Sequence, residues 1–398
     1  MKNILDILPF NKCCGCGACI NVCSTQALFF SQDDYGFVRP QIDCTKCVEC
    51  GKCIRTCPQY NEIEASKPKQ VLAALNKNES IVVKSSSGGI FYAVAESVVS
   101  EGGCAFGAIL DDQFKVKHIC VERTEDLSQL QKSKYVQSYM GDCYKQALQK
   151  LKDGQKVLFS GTPCQVAAMK SLANGKYTDN LFLVDVVCHG VPSQTFWNDY
   201  VETLSKKRGS LKEYVFCYKR KIRNGMNKYL SYTTKECKKT VKNWPQDSYN
   251  SFFMESKNYQ ESCYSCRFAK PERVSDVTLC DFWSWDKYHK NDFPLCSTVS
   301  GICVNTDVGK RILCKIADKL TLVESSFDNL AARNGCLLRP TPMPKDREIF
   351  LQEWKSKGFE FIEQKFEKKN RMRILKSRLQ MYVPESFKLW FHRLRHGN

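Results

Sequence analysis

The stretch Cys13-Cys14-Gly15-Cys16-Gly17-Ala18-Cys19-Ile20-Asn21-Val22-Cys23, echoed by Cys47-Val48-Glu49-Cys50-Gly51-Lys52-Cys53-Ile54-Arg55-Thr56-Cys57-Pro58, decides how the first part of the chain is read. Both runs follow the spacing C-x2-C-x2-C-x3-C. Three thiolates so spaced wrap one face of an iron–sulfur cubane while intervening N–H groups point at its sulfides, and the fourth cysteine reaches a second cluster. Cys13, Cys16, Cys19 and Cys57 are therefore assigned to one 4Fe–4S cluster, and Cys47, Cys50, Cys53 and Cys23 to another. CxxC pairs also build zinc ribbons, but eight cysteines in two such runs favour iron–sulfur. Ser24 stands where proline usually follows the last cysteine of the first run. Cys14 and Cys44 are surplus; Cys44 either substitutes as a ligand or, the reading preferred here, is a free buried thiol.

Between the runs, Ala27-Leu28-Phe29-Phe30 and Gly36-Phe37-Val38-Arg39-Pro40 predict two short strands around the turn Asp33-Asp34-Tyr35-Gly36. Residues 62–70 (EIEASKPKQ) are polar, contain a proline and read as a linker. At 398 residues the chain is too long for one small domain. Three units are expected: a dicluster domain over residues 1–62, a larger domain over 70–345, and a basic helical tail over 346–398. The charge of +18 is uneven, since residues 364–398 hold ten Lys/Arg against Glu367 and Glu385. No run approaches the ~18 apolar residues of a membrane helix, and no signal-type apolar stretch precedes the first cysteines. A cytoplasmic location is expected, with the 24 cysteines serving as metal ligands and buried thiols rather than a secreted disulfide framework.

In the larger unit, residues 71–75, Cys104–Leu110 and Val116–Val121 predict strands and Ile90–Val99 a helix. The helix follows Ser85-Ser86-Ser87-Gly88-Gly89, which is either an anion site for a cofactor phosphate or an ordinary serine cap with a glycine turn. Lys132-Ser133-Lys134-Tyr135-Val136-Gln137-Ser138 either lines a cofactor pocket or is a solvated loop. Val157-Leu158-Phe159-Ser160 reads as a buried strand, with Thr162 capping and Pro163 opening the next helix, so that Cys164 lies in its first turn. A further strand at residues 181–187 leads to Cys188-His189-Gly190.

In a β-α-β unit the two strands are parallel and their carboxyl ends share one sheet edge, which brings Cys164 and Cys188 together. The helix N-terminus is expected to lower the Cys164 thiol pKa. With Cys263 and Cys266 from Cys263-Tyr264-Ser265-Cys266 they supply four thiolates for a third 4Fe–4S cluster; the alternative is a catalytic or merely buried Cys164 beside an unrelated CxxC pair. Cys188 and His189, as neighbours in an extended strand, are expected to point to opposite faces. Cys104, Cys120, Cys143, Cys217, Cys237, Cys296, Cys303, Cys314 and Cys336 read as buried apolar fillers.

Taken together, the dicluster runs, SSSGG at 85–89, SKYVQS at 133–138, SGTPCQVAAMKSL at 160–172, DVVCHGVPS at 185–193 and CYSCRFAKPERVSDVTLCDFW at 263–283 resemble the coenzyme F-420 hydrogenase/dehydrogenase beta-subunit family, which includes the plant 7-hydroxymethyl chlorophyll a reductase. The match runs over roughly residues 10–340. The resemblance implies a ferredoxin-like module followed by an α/β domain that binds FAD and iron–sulfur, hence an α+β chain overall. It supports cluster ligation by Cys164, Cys188, Cys263 and Cys266, and carries over FAD contacts to Ser86, Ser87, Gly88, Gly89, Lys134, Tyr135, Gln137 and Thr162.

Two departures limit the transfer. Cys280 replaces a glycine typical of the family, and the basic stretch 219–244 lacks the usual Gly-Trp and is expected to shape the substrate mouth. Dicluster-fused members also resemble proteins associated with bacterial polysaccharide biosynthesis. The implied activity is an oxidoreductase taking electrons from ferredoxin or another one-electron donor through the clusters to FAD and a small organic acceptor, or a subunit relaying them to a partner enzyme. Residues 386–396 mix Phe387, Leu389, Trp390, Phe391 and Leu394 with Lys388, Arg393 and Arg395, a pattern compatible with a helix on an anionic membrane surface or packed on the protein. No recognised nucleic-acid module is present, and no acid or base is assigned beyond Asp281 and His189 as candidates.

Overall fold

The computed structural model describes residues 3–222, 225–294 and 298–383. Its strands are β1 (Leu28–Gln32), β2 (Val38–Ile42), β3 (Gln70–Asn76), β4 (Cys104–Leu110), β5 (Val116–Val121), β6 (Val157–Gly161), β7 (Leu181–Val186), β8 (Leu211–Ile222), β9 (Gly225–Thr234), β10 (Lys239–Lys242), β11 (Val277–Asp281), β12 (Ser300–Val304) and β13 (Leu320–Ser325). β1 and β2 form the expected antiparallel hairpin of a ferredoxin-like region. Eight strands form the main sheet in the order β13-β3-β12-β11-β7-β6-β4-β5. Its centre, β4, β6, β7 and β11, is parallel, and antiparallel strands flank it on both sides.

The continuous apolar runs in β6 and β7 exist because both sheet faces are covered. Successive side chains alternate between faces. Leu158, Phe182 and Val184 pack with helices Ile90–Val99 and Asp307–Ile316. Val157, Phe159, Leu181 and Leu183 pack on the other side with helices Cys143–Lys152 and Pro163–Ala173. The parallel strands end together, so Gly161, Val186 and Asp281 deliver the loops that follow them to one edge.

Strands β8, β9 and β10 make a second, antiparallel sheet. Its aromatic core joins Trp197, Tyr200, Tyr214, Tyr249 and Phe252 to Phe350, Trp354, Phe359 and Phe366 of the helix Arg347–Lys369. The expected tail thus begins as part of this core, anchored by the Trp354 indole N–H donating to Asp199 at 2.8 Å. Residues 386–396, the stretch with the membrane-type pattern, lie outside the described residues, as does Cys296. No helix among the described residues is long and apolar enough to cross a membrane.

Candidate functional site

Each N-terminal run bends through a left-handed glycine into a short helix: Gly17 precedes Ala18–Val22 and Gly51 precedes Lys52–Arg55. A Cβ on Gly17 would stand 2.6 Å from the Phe30 ring, so the close approach of the hairpin requires glycine there. The Gly15 N–H donates to Cys13 Sγ at 3.4 Å, the kind of backbone-to-sulfur contact a thiolate cluster uses. Cys57 comes back across the module to Cys13, Cys16 and Cys19, whose thiols act on one another electrostatically. Burial first, then the neighbouring thiols, pushes Cys57 up to about 12. Cys19, Cys23, Cys53 and Cys57 share one small apolar cluster with Ile4 and Leu28. Among the described residues no three His, Cys, Asp or Glu side chains converge as ligands of a single ion would. Cys44 is exposed rather than buried, because it sits in the turn just before the second run.

The module is docked on the α/β domain through buried polar contacts. Gln137 Oε1 accepts from the Val38 N–H at 2.8 Å while its Nε2 donates to Gln260 Oε1 at 3.2 Å. Gln260 in turn donates to the Cys13 carbonyl at 2.8 Å, which Arg39 also donates to. Asn21 donates to the Gly141 carbonyl at 2.8 Å, and Arg267 to the Gln59 carbonyl at 2.9 Å. Buried polar groups satisfied on both sides hold an orientation more strictly than apolar packing does.

Four segments bring a second set of thiols together at the carboxyl edge of the sheet. Thr162 opens the helix of Cys164, with Gln165 Oε1 accepting from the Thr162 N–H at 3.0 Å, and its hydroxyl lies 3.2 Å from Cys164 Sγ. Cys188 follows β7, and Cys263 and Cys266 face it from the loop before β11. That loop is tied to β7 by Arg273, which meets Asp185 at 2.8 Å with both side chains essentially unexposed. Cys14 completes the set: with Cys164 and Cys266 it packs against buried Cys16 in one apolar cluster.

Contact with Cys14, then burial, drives the Cys164 thiol well above its ordinary value. The expected lowering by the helix N-terminus is thus overridden by its neighbour and by desolvation. Burial likewise pushes Cys188 up to about 12. A metal would displace these protons, as ligation by thiolates requires.

These sulfurs border a cavity of about 1030 Å³, at the upper end of the ~300–1,000 Å³ usual for small-molecule sites. Ser86, Ser87, Gly89, Lys134, Tyr135, Gln137 and Thr162 all line it, together with Cys14, Cys164 and Cys188. Gly88 does not: its N–H donates to Ser300 Oγ at 2.8 Å, and a Cβ there would lie 2.5 Å from the Ala74 carbonyl oxygen. Its role is to let the loop press on β3.

The SKYVQS segment is a cavity wall, not a solvated loop. Lys134 donates to the Gln129 and Gln131 carbonyls at 3.2 and 2.7 Å, and burial brings it down to about 7. Tyr135 stacks on Phe253 with centroids 4.5 Å apart. Behind the serines, Lys219 donates to the Ser87 carbonyl at 2.5 Å. Cys188 and His189 both line the cavity, contrary to the opposite-face expectation, because β7 stops at Val186 and the following residues are not in strand geometry. Burial, partly countered by Asp281, lowers the His189 pKa.

The sequence reading missed several walls. Lys228 meets Asp281 at 2.5 Å and lies 4.7 Å from the centre of the Trp283 ring. Trp244, Ser377 and Gln380 also line the cavity. The position of Lys228 within the basic 219–244 stretch was the one available signal; the helix Arg371–Tyr382 carried none. Cys280 sits at the end of β11, its thiol donating to the Gly301 carbonyl at 3.7 Å. Two of the presumed fillers, Cys237 and Cys314, are exposed, since they fall in a hairpin turn and on the outer face of a helix.

Residues 154–329 match the family model for the C-terminal part of the coenzyme F420 hydrogenase/dehydrogenase beta chain, and residues 12–61 match the 4Fe-4S dicluster domain. Comparison with curated proteins gave no match. Among solved structures, a chain of the F420-reducing NiFe hydrogenase complex from Methanosarcina barkeri is similar at 18% identity and a TM-score of 0.45, covering 75% of this chain and 92% of that one. The chain therefore belongs, through residues 154–329, to the coenzyme F420 hydrogenase/dehydrogenase beta-subunit family, as an iron–sulfur electron-transfer protein with a 4Fe–4S dicluster domain at residues 12–61.

Proposed function

We propose that the chain is an iron–sulfur flavoprotein oxidoreductase. Cys13, Cys16, Cys19 and Cys57 hold one cluster, Cys47, Cys50, Cys53 and Cys23 a second, and Cys164, Cys188, Cys263 and Cys266 a third. FAD occupies the cavity against Ser86, Ser87, Gly89, Lys134, Tyr135, Gln137 and Thr162. When bound, the clusters supply one-electron relay and the flavin the conversion to two-electron chemistry. A ferredoxin or similar one-electron donor meets the exposed second run, where Cys50 is accessible, and a small organic acceptor enters the cavity. Residues 1–62, 70–345 and 346–398 are the units of this scheme.

The observation that carries the proposal is the shared wall: Cys14, Cys164 and Cys188 border the same cavity as the serine, lysine and tyrosine side chains. The cavity chemistry fits a dinucleotide flavin. Lys134 offers a buried cation to a phosphate, the loop before Ile90–Val99 offers hydroxyls, and Phe91, Leu130, Val186 and Leu279 offer apolar surface for a planar ring. Asp281, bound to Lys228, orients that lysine at the mouth rather than acting as a base. Neutral His189 faces the same space and can hold or pass a proton. No described residue bears on a link to polysaccharide biosynthesis.

The test is anaerobic purification with iron, sulfide and flavin quantified. About twelve irons and one FAD per chain are expected; about eight irons without flavin would remove the catalytic half of the proposal. The family's description as a beta subunit favours a second reading, a relay to a partner enzyme. Turnover of the purified chain with an artificial donor and acceptor would exclude it.

A further inference from the structure

Among the cysteines outside the assigned ligand sets, Cys14 alone stands between two of those sets. It packs in one apolar cluster with Cys16 on one side and with Cys164 and Cys266 on the other, and its thiol is in hydrogen-bonding contact with both Cys16 and Cys164. Its placement is enforced. Gly15 is left-handed, and any Cβ there would lie 2.4 Å from the Val38 carbonyl oxygen and 2.5 Å from Gln137 Nε2. The backbone carbonyl of Cys13 is held by Gln260 and Arg39 on the other flank. Residues 13–15 are thereby clamped against the α/β domain with the Cys14 side chain directed at the helix start that carries Cys164.

We infer that Cys14 is the sulfur contact through which an electron crosses from the N-terminal thiolate set to the set at Cys164, without itself being a ligand. This inference rests on the third-cluster reading above. Each set already has four thiolates, which a 4Fe–4S cubane fully uses. A fifth sulfur touching one member of each set leaves no gap of solvent or loose packing between them. Sulfur is the most polarisable side-chain atom, suited to fill that contact. In the step, one electron leaves the reduced cluster on the Cys16 side and arrives at the oxidised cluster on the Cys164 side. No bond forms or breaks, and Cys14 ends in its starting oxidation state.

The test uses the full chain with Cys14→Ala and, in case the smaller side chain impairs folding, Cys14→Ser, which keeps nearly the same volume. Iron content, low-temperature electron paramagnetic resonance and stopped-flow reduction by dithionite are read on each. The expected result is the full iron content of about twelve per chain, all cluster signals present, and loss of the fast phase in which the third cluster is reduced. Full iron with the fast phase intact overturns the inference alone. Iron falling by about four in the variants makes Cys14 a ligand and also overturns it, while leaving the third cluster standing. Wild-type protein with about eight irons overturns the third-cluster reading itself and this inference with it.

Discussion

Cys47, Cys50 and Cys53 lie in one short loop, partly or fully exposed, and can be set in place by a few residues of backbone. Cys164, Cys188, Cys263 and Cys266 arrive from a helix start, a strand end and a distant loop, and every one is only partly accessible. The first arrangement depends on local spacing, with Gly51 supplying the one backbone conformation it needs. The second depends on a sheet whose parallel strands end together and on a buried ion pair that holds the CxxC loop. Damage to the fold should therefore erase the second thiol set and spare the first, and mutations sort by how directly they reach the sheet edge.

The largest effect is expected at Asp185–Arg273. Asp185→Asn leaves the guanidinium buried without its charge partner, and Arg273 also donates to the Phe268 carbonyl at 3.0 Å. The loss should be about 3–5 kcal/mol in chemical unfolding, with release of the third-set iron before the dicluster iron. Simultaneous loss of all iron would show that the two regions are not separable.

Next comes Gly190→Ala. Gly190 has φ +142°, and an added Cβ would lie 2.3 Å from the Tyr259 ring. The loop after Cys188 must shift, so iron should fall by about four per chain while the dicluster signals persist. A variant with wild-type iron would show that Cys188 tolerates the movement or is not a ligand.

A smaller effect concerns pH. Burial places Lys134 at about 7 in the folded chain, against about 10.4 in an unfolded one. Between those values the unfolded state binds the extra proton, so flavin-free protein gains stability as pH rises from 7 toward 10, and the contribution is lost as pH falls through 7. Lys134→Met should flatten that dependence in thermal unfolding scans, with Lys219, also brought to about 7 by burial, accounting for what remains. It should also weaken FAD binding most below pH 7, where the ammonium is charged.

The smallest effects sharpen the same contrast from outside it. Cys44→Ser, Cys237→Ser and Cys314→Ser remove exposed thiols. Each should change stability by no more than about 0.5 kcal/mol and leave iron content unchanged; a drop in iron with Cys44→Ser would instead make that cysteine a ligand.

Much of this was legible in the residues. The two cysteine runs, the hairpin between them, and strands β4, β5 and β6 with the Thr162–Pro163 helix start all follow from periodicity, capping and thiol spacing, which act over a few residues. The proximity of Cys164 and Cys188 also followed, because parallel strands in a β-α-β unit end on one edge. What could not be read was whatever depends on contact between distant segments. Cys14 looked surplus because its partner is 150 residues away, at Cys164. Gly88 looked like a cofactor contact until packing against β3 showed otherwise, and the helix start at Cys164 failed to lower its thiol because a neighbouring sulfur and desolvation outweigh the helix field. Spacing along the chain determined which atoms can hold iron in the N-terminal module. Tertiary packing alone decided that the module's surplus thiol faces the second set and that both share a wall with the cavity, since burial and long-range contact exist only once the chain has folded.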